Sequence, residues 1–296
     1  MSLRVAACAY PIERLSSFEA FAQKQELLVE RAVQEGARLL VFPEYASMEL
    51  TSVLPEDEQG DLQRELLALQ SLFADFLAIY GRLAQKHGVY ILGPSFPERS
   101  HSGDVFRNRI RLHAPSGELG VSEKMQMTRF EREEWGIAPG ELSRVFETEL
   151  GVIGVAICYD VEFPLLVRRQ VEAGAEIILV PSCTDTLAGY HRVALSCRAR
   201  ALENQCFVVQ APTVGGATWS IAVDQNWGAA AVYGPVDRGF ASDGVVAQGA
   251  LDAPGWVFGD CNLSELARVR REGQVTNHRD WSLPGHLSGP LEVVPL

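Results

Sequence analysis

Apolar residues fall along the chain in short compact runs separated by stretches of helical spacing. Leu3 to Ala9 reads as a short apolar strand. A helix follows from about Ser17, with Phe18, Phe21, Leu28 and Ala32 on one face and Gly36 where a helix would stop. Arg38 to Phe42 is a second compact strand, closed by Pro43-Glu44. Leu62, Leu66, Leu69, Phe73, Phe76, Tyr80 and Leu83 then recur at helical spacing up to Gly88, before a strand over Val89 to Leu92. Strand, helix, strand, helix, strand predicts parallel pairing.

After Gly93 the period changes. Arg107 to His113 alternates polar and apolar positions, and Pro115-Ser116-Gly117-Glu118 is a turn signal, which predicts antiparallel strands added to the sheet. Val152 to Ile157 resumes the parallel theme, with a helix opened by Pro164 and stopped at Gly174, then a strand over Glu176 to Val180. A helix over Tyr190 to Asn204 leads into Phe207 to Gln210. Beyond Gly215 only short strands are expected, near Ala229 to Tyr233 and Trp256 to Gly259.

Residues 35–43 (EGARLLVFP) echo residues 173–181 (AGAEIILVP) at a constant offset of 138. Two related units suggest two halves, each a sheet with helices on its outer face, packed sheet to sheet. A chance likeness between two helix-Gly-strand joints is the competing explanation. No low-complexity linker divides the chain, so one domain over residues 1–296 is expected, with about 262–296 as a C-terminal extension available for oligomer contacts.

Composition narrows the class. Hydrophobic residues are 47% and charged residues 22% of 296, enough apolar material for a large core and far from a disordered composition. A net charge of -12 argues against general attraction to nucleic acid or an anionic membrane, since both need a basic face. The first eleven residues carry no signal-peptide pattern and no run of eighteen apolar residues occurs, which together predict a cytoplasmic protein. Six scattered cysteines without a C-x-x-C pair predict reduced thiols.

Three places put a reactive side chain at the end of an apolar strand, where α/β folds present their sites. Cys158, between Gly154-Val155-Ala156-Ile157 and the helix start at Pro164, lies near free backbone N–H groups that favour thiolate; a packed structural cysteine is the plain alternative. Glu44 directly follows a strand, where poor hydration raises a carboxyl pKa and suits it to carry a proton; capping of the next turn is its alternative. Lys124, in Ser122-Glu123-Lys124-Met125, is either a surface lysine lying on apolar neighbours or an ammonium held over a reacting carbonyl.

Together these motifs resemble the nitrilase (carbon-nitrogen hydrolase) superfamily, whose members carry Glu, Lys and Cys in that order. The likeness rests on Phe42-Pro43-Glu44, on Glu123-Lys124, and on Gly154 through Pro164, supported by residues 200–204 (RALEN), and extends from Val5 to about Cys261. It implies an α/β fold, a four-layer α-β-β-α sandwich, commonly dimeric. By that resemblance Glu44 takes the proton of Cys158, whose sulfur attacks a small amide or nitrile, while Lys124 and the backbone N–H of Tyr159 stabilise the oxyanion. Neither metal nor organic cofactor is required. Many members add a second glutamate; aligned on Pro139-Gly140 it is Glu133 here, with Glu131 and Glu134 the neighbouring choices.

Cys158-Tyr159-Asp160 with Phe163-Pro164 is similar to omega-amidase-like members, but those have arginine where this chain has Glu162, which argues against a dicarboxylic monoamide substrate. The segments over 128–135 and 226–245 resemble a poorly characterised branch, some of whose relatives are fused to an acetyltransferase domain that these residues do not include. Thr184, His191 and Glu162, with Trp219 and Trp227, are pocket candidates by position, although core packing is the ordinary role of tryptophan. Six histidines without H-E-x-x-H give no metal site, G-x-S-x-G is absent, and the first strand lacks a dinucleotide-binding glycine turn. Two alternatives stay open: an N-acyltransferase or amide synthase using the same acyl-enzyme, and a non-catalytic binding protein on the same fold.

Overall fold

The computed structural model describes residues 2–100, 103, 105–282, 290 and 292–294. Of the expected C-terminal extension, residues 283–289, 291 and 295–296 lie outside that set. The first half runs β1 (Ser2–Pro11), α1 (Phe18–Gln34), β2 (Leu39–Val41), α2 (Leu62–Leu69), α3 (Phe73–His87), β3 (Tyr90–Leu92), β4 (Phe96–Arg99), β5 (Phe106–His113), β6 (Leu119–Glu123) and β7 (Ile137–Ala138). The second runs β8 (Val145–Thr148), β9 (Gly151–Val155), α4 (Pro164–Glu172), β10 (Ile177–Ser182), α5 (Leu187–Asn204), β11 (Phe207–Val214), β12 (Ala231–Tyr233), β13 (Val245–Gln248), β14 (Gly255–Asn262) and α6 (Leu263–Glu272).

Strand order resolves into two sheets. One is β4-β5-β3-β2-β1-β14, with β6 and β7 also paired to β5; the other is β8-β9-β10-β11-β12-β13. They are joined where the end of β1 pairs in parallel with β11, Tyr10 opposite Thr213 and Pro11 opposite Val214. Central pairs β1/β2, β2/β3, β9/β10 and β10/β11 are parallel, as the alternation of strand and helix predicts.

Both faces of β1 are buried, and its side chains divide by the strand's period of two. Val5, Ala7 and Ala9 join a core with Leu39, Val41 and Leu92 and with the second sheet's Ile153 and Val155. Ala6, Cys8 and Tyr10 join the other core, with Leu40 and Ile91 and with Phe21, Leu28 and Val29 of α1 and Phe76, Ile79 and Tyr80 of α3. Val167 and Val171 of α4 and Val193, Cys197 and Ala201 of α5 cover the far side of the second sheet. The layers are therefore helix, sheet, sheet, helix. Taken together, α2, its connecting turn and α3 (Leu62–His87) are long and apolar enough to span a membrane by length and composition, yet their apolar face here packs on the first sheet.

The echo at an offset of 138 has structural content. Leu39–Val41 is the start of the same kind of strand as Ile177–Leu179, each flanked by two parallel neighbours, and Gly36 and Gly174 both take positive φ, of 80° and 104°, where helix gives way to strand. One expectation is corrected: the single helix read over Leu62 to Leu83 is two, separated by a tight turn at Gln70–Leu72. The Gln70 amide donates to Leu66 O at 2.8 Å and to Pro97 O at 2.9 Å, and Ser71 Oγ donates to Ala68 O at 2.7 Å, so side chains take carbonyls near the break.

The two sheets approach closely where β14 faces β12. A Cβ at Gly259 would lie 2.8 Å from Cβ of Val232. Gly259→Ala should therefore wedge the sheets apart, costing about 1–3 kcal/mol by overpacking and lowering Tm by several degrees in a thermal melt. An unchanged Tm would contradict close packing of the two sheets at this point.

Candidate active site

Four segments that end or follow strands converge at one edge of the sandwich. Glu44 follows β2, held by the Phe42 N–H to Leu92 O bond at 2.9 Å and by Thr213 Oγ1 donating to its own carbonyl at 2.8 Å. Lys124 follows β6; its N–H donates to Asn108 O at 2.9 Å and its carbonyl accepts from Gly140 N–H at 2.8 Å. Cys158 follows β9 and opens a tight turn over Cys158–Glu162, and Cys183 follows β10. Cys158 and Tyr45 are two of four non-glycine residues with positive φ among the described residues, 47° and 54°. Backbone strain of this kind collects at functional sites because the surroundings must over-determine it.

The Lys124 ammonium is 1% exposed and lies between two carboxylates, 2.7 Å from Glu44 Oε1 and 2.8 and 2.7 Å from Glu131 Oε1 and Oε2. Burial works against its charge, but Glu131 and Glu44 outweigh it and hold Lys124 well above the ordinary lysine range. Burial likewise disfavours the Glu131 carboxylate, but Lys124 and donors from Thr128 and Tyr45 keep it below the usual value. Glu44 has fewer compensations: burial pushes it up to about 7 against the pull of Lys124. The two carboxylates therefore divide into a firm anion and a group that titrates near neutrality.

The Cys158 thiol lies close enough to Glu44 for each to shift the other's titration, and it donates to the Cys183 carbonyl at 3.6 Å. Burial first, then the Glu44 charge, raises it well above the ordinary thiol value, so at rest it holds its proton beside a base. Asp160 N–H makes the first bond of the turn, to Ile157 O at 3.0 Å. The Cys158 and Tyr159 N–H groups precede that bond and stand where a helix start offers donors. The Asp160 carboxylate accepts N–H bonds from Met125 at 3.1 Å, Gln126 at 2.7 Å and Ile157 at 3.2 Å, which ties the lysine segment to the cysteine segment. Burial raises this group to about 6.

Of the three acids considered for the second glutamate, the structure brings Glu131, not Glu133, to Lys124. Residues 131–135 form one wide helical turn that points Glu131 and Trp135 inward and leaves Arg132, Glu133 and Glu134 in solvent, where Glu133 pairs with Arg129 at 2.7 Å. Thr128 and Glu131 cap each other, with Thr128 N–H on Glu131 Oε2 at 2.9 Å and Glu131 N–H on Thr128 Oγ1 at 3.3 Å, and Tyr45 OH donates to Glu131 Oε1 at 2.7 Å. That T-x-x-E spacing was a readable signal in the sequence.

The pocket candidates are more dispersed. Thr184 is buried and gives its hydroxyl to Trp227 O at 2.7 Å. Glu162 turns to Arg192 at 3.4 Å, and His191 is exposed beside the Tyr190 ring. Trp219 donates to Thr51 Oγ1 at 3.1 Å and Trp227 is a little over one third exposed, at 38%. Asn108, Tyr45, Asp160 and Cys183 are site residues to which sequence reasoning gave no role. Asp160 alone had a signal, two residues past the cysteine in the same motif.

A family model described as carbon-nitrogen hydrolase matches residues 4–266. The chain is 34% identical over 282 residues to "Probable hydrolase YhcX" of Bacillus subtilis (strain 168), covering 94% of this chain and 53% of that protein, so it spans about half the relative's length. It is 28% identical over 276 residues to the deaminated glutathione amidase of Mus musculus, covering 89% of this chain and 80% of the relative. In fold it is similar to the C. elegans NitFhit protein, with a TM-score of 0.75 at 23% identity over 94% of this chain and 65% of that one. Nit3 of Saccharomyces cerevisiae, a member of branch 10 of the nitrilase superfamily, gives 0.71 at 21% over 94% and 97%.

The raised Glu44 value has a stability consequence. Between 4.5 and about 7 the unfolded chain releases a proton that folded Glu44 keeps, so stability falls as pH rises through that window. Glu44→Gln lacks this penalty. In thermal melts it should exceed the native protein by a few degrees at about pH 8, with the difference closing below pH 4.5; a variant less stable at the higher pH would contradict the assignment.

Proposed function

The chain belongs to the carbon-nitrogen hydrolase family, and from that premise we propose that it hydrolyses the C–N bond of a small amide through an acyl-enzyme on Cys158. The observation that carries this reading is the Lys124 ammonium bridging Glu44 and Glu131 beside a buried thiol. Glu44 accepts the Cys158 proton as sulfur attacks the carbonyl carbon, forming a C–S bond and a tetrahedral oxyanion. Lys124 and the Tyr159 N–H stabilise that oxyanion, and they act strongly because the site is dry. Collapse breaks the C–N bond, Glu44 returns its proton to the departing amine, and the same carboxylate then activates the water that hydrolyses the thioester.

A base poised near 7 suits each of these transfers at neutral pH, since it can both take and give a proton. Lys124 is kept cationic by Glu131 throughout, so the proton that moves is the one shared by Cys158 and Glu44. Relatives named as amidases support an amide over a nitrile. Exposed Leu165 on α4 and Leu195 and Leu202 on α5 support the further reading that two copies pair through these helices.

Cys158→Ala should abolish ammonia release from an amide library while leaving the melt near that of the native protein; activity at the native level would reject the nucleophile. In the native protein kcat/KM should fall as pH drops through about 7, when Glu44 becomes protonated and can no longer accept the thiol proton. A flat profile across that range would remove Glu44 from the role of base.

A further inference from the structure

Asn108 is consumed by no step above, yet it touches two of the reacting groups. It lies on β5 and is fully buried. Its Nδ2 donates to Glu44 Oε1 at 2.9 Å, the same oxygen that takes Lys124 Nζ at 2.7 Å, and its main-chain carbonyl takes the Lys124 N–H at 2.9 Å. While Glu44 is ionised it can only accept, so the amide then faces it with its NH₂. That orientation has a cost.

The cost is visible on the other side of the amide. Asn108 Oδ1 is buried and finds no hydrogen-bond partner among the described residues. A buried carbonyl without a donor disfavours the folded state, and an apolar side chain of similar size would avoid this. What the asparagine offers in return is its donor to Glu44. Its neighbours on the strand serve other ends, Arg107 pairing with Glu141 and Arg109 with Glu98 and Glu123.

Resting on the proposed Cys158 chemistry, we infer that Asn108 is a positioning residue for the base. By holding Glu44 Oε1 together with Lys124 it leaves Oε2 as the oxygen available to the Cys158 thiol, and it supplies a neutral donor that favours the ionised carboxylate. The charged and titratable groups around Glu44 are Lys124, Glu131, Cys158, Tyr45 and Cys183. Asn108 is the neutral donor that adjusts the base without altering this charge balance.

The test is the pH dependence of Cys158 alkylation by iodoacetamide, mapped by peptide mass spectrometry, which reads the thiol and base without amide turnover. In the native protein the rate should rise with a midpoint near 7, following Glu44 ionisation. In Asn108→Leu the midpoint should move up by about one unit and the plateau fall by about tenfold. Asn108→Ala, which cannot overfill the site, should give the same displacement and serves if the leucine variant does not fold. A midpoint and plateau unchanged in a folded variant would overturn the positioning role while leaving the nucleophile intact. A native protein in which Cys158 reacts no faster than its other thiols would overturn the proposed chemistry and this role with it.

Discussion

One ammonium, almost wholly removed from water and set between two carboxylates, is the interaction on which the site depends. A buried charge is tolerable only when paired and hydrogen-bonded, and here three ionisable groups must share that compensation. The sharing is unequal. Glu131 has Lys124, Tyr45 OH and both donors of Thr128, whereas Glu44 has Lys124 and Asn108. The carboxylate with the poorer set of donors is the one that moves into the neutral range, and it is also the one beside the thiol. Position and electrostatics thus point to the same residue for the proposed role of proton carrier.

The fold supplies the convergence. Glu44 and Lys124 come from the first sheet, Cys158 and the Cys183 carbonyl from the second, so the site exists only where strand ends of the two stacked sheets come together. Asp160 spans that division by taking N–H groups from both the Lys124 and the Cys158 segments. Positive φ at Tyr45 and Cys158 is the local cost of turning these side chains inward, and packing of both cores against the strands behind them holds the strain.

Much of this was legible in residue order. Strand ends at Phe42-Pro43-Glu44 and before Cys158 follow from compact apolar runs, and the echo between residues 35–43 and 173–181 reflects the correspondence of β2 with β10. What was not legible depends on partners distant in sequence. Three acids in 131–134 look alike until a wide turn decides which faces inward, and Asn108 is an ordinary strand residue until Glu44 is placed beside it. Strands β8 and β13 were missed because their residues are only half-buried and lack a strong apolar run. The break at Gln70 was missed because it is made by side chains that compete for carbonyls within an otherwise uniform helical pattern.

The most direct test of the central claim compares the unfolding free energy of Lys124→Met with that of Lys124→Met combined with Glu131→Gln, at neutral pH. Removing the ammonium alone leaves two buried carboxylates facing each other and should cost about 3 kcal/mol or more; removing the Glu131 charge as well should restore most of that loss. If the double variant is instead less stable than the single one, with the two losses simply adding, charge balance around Lys124 is not what holds the site together.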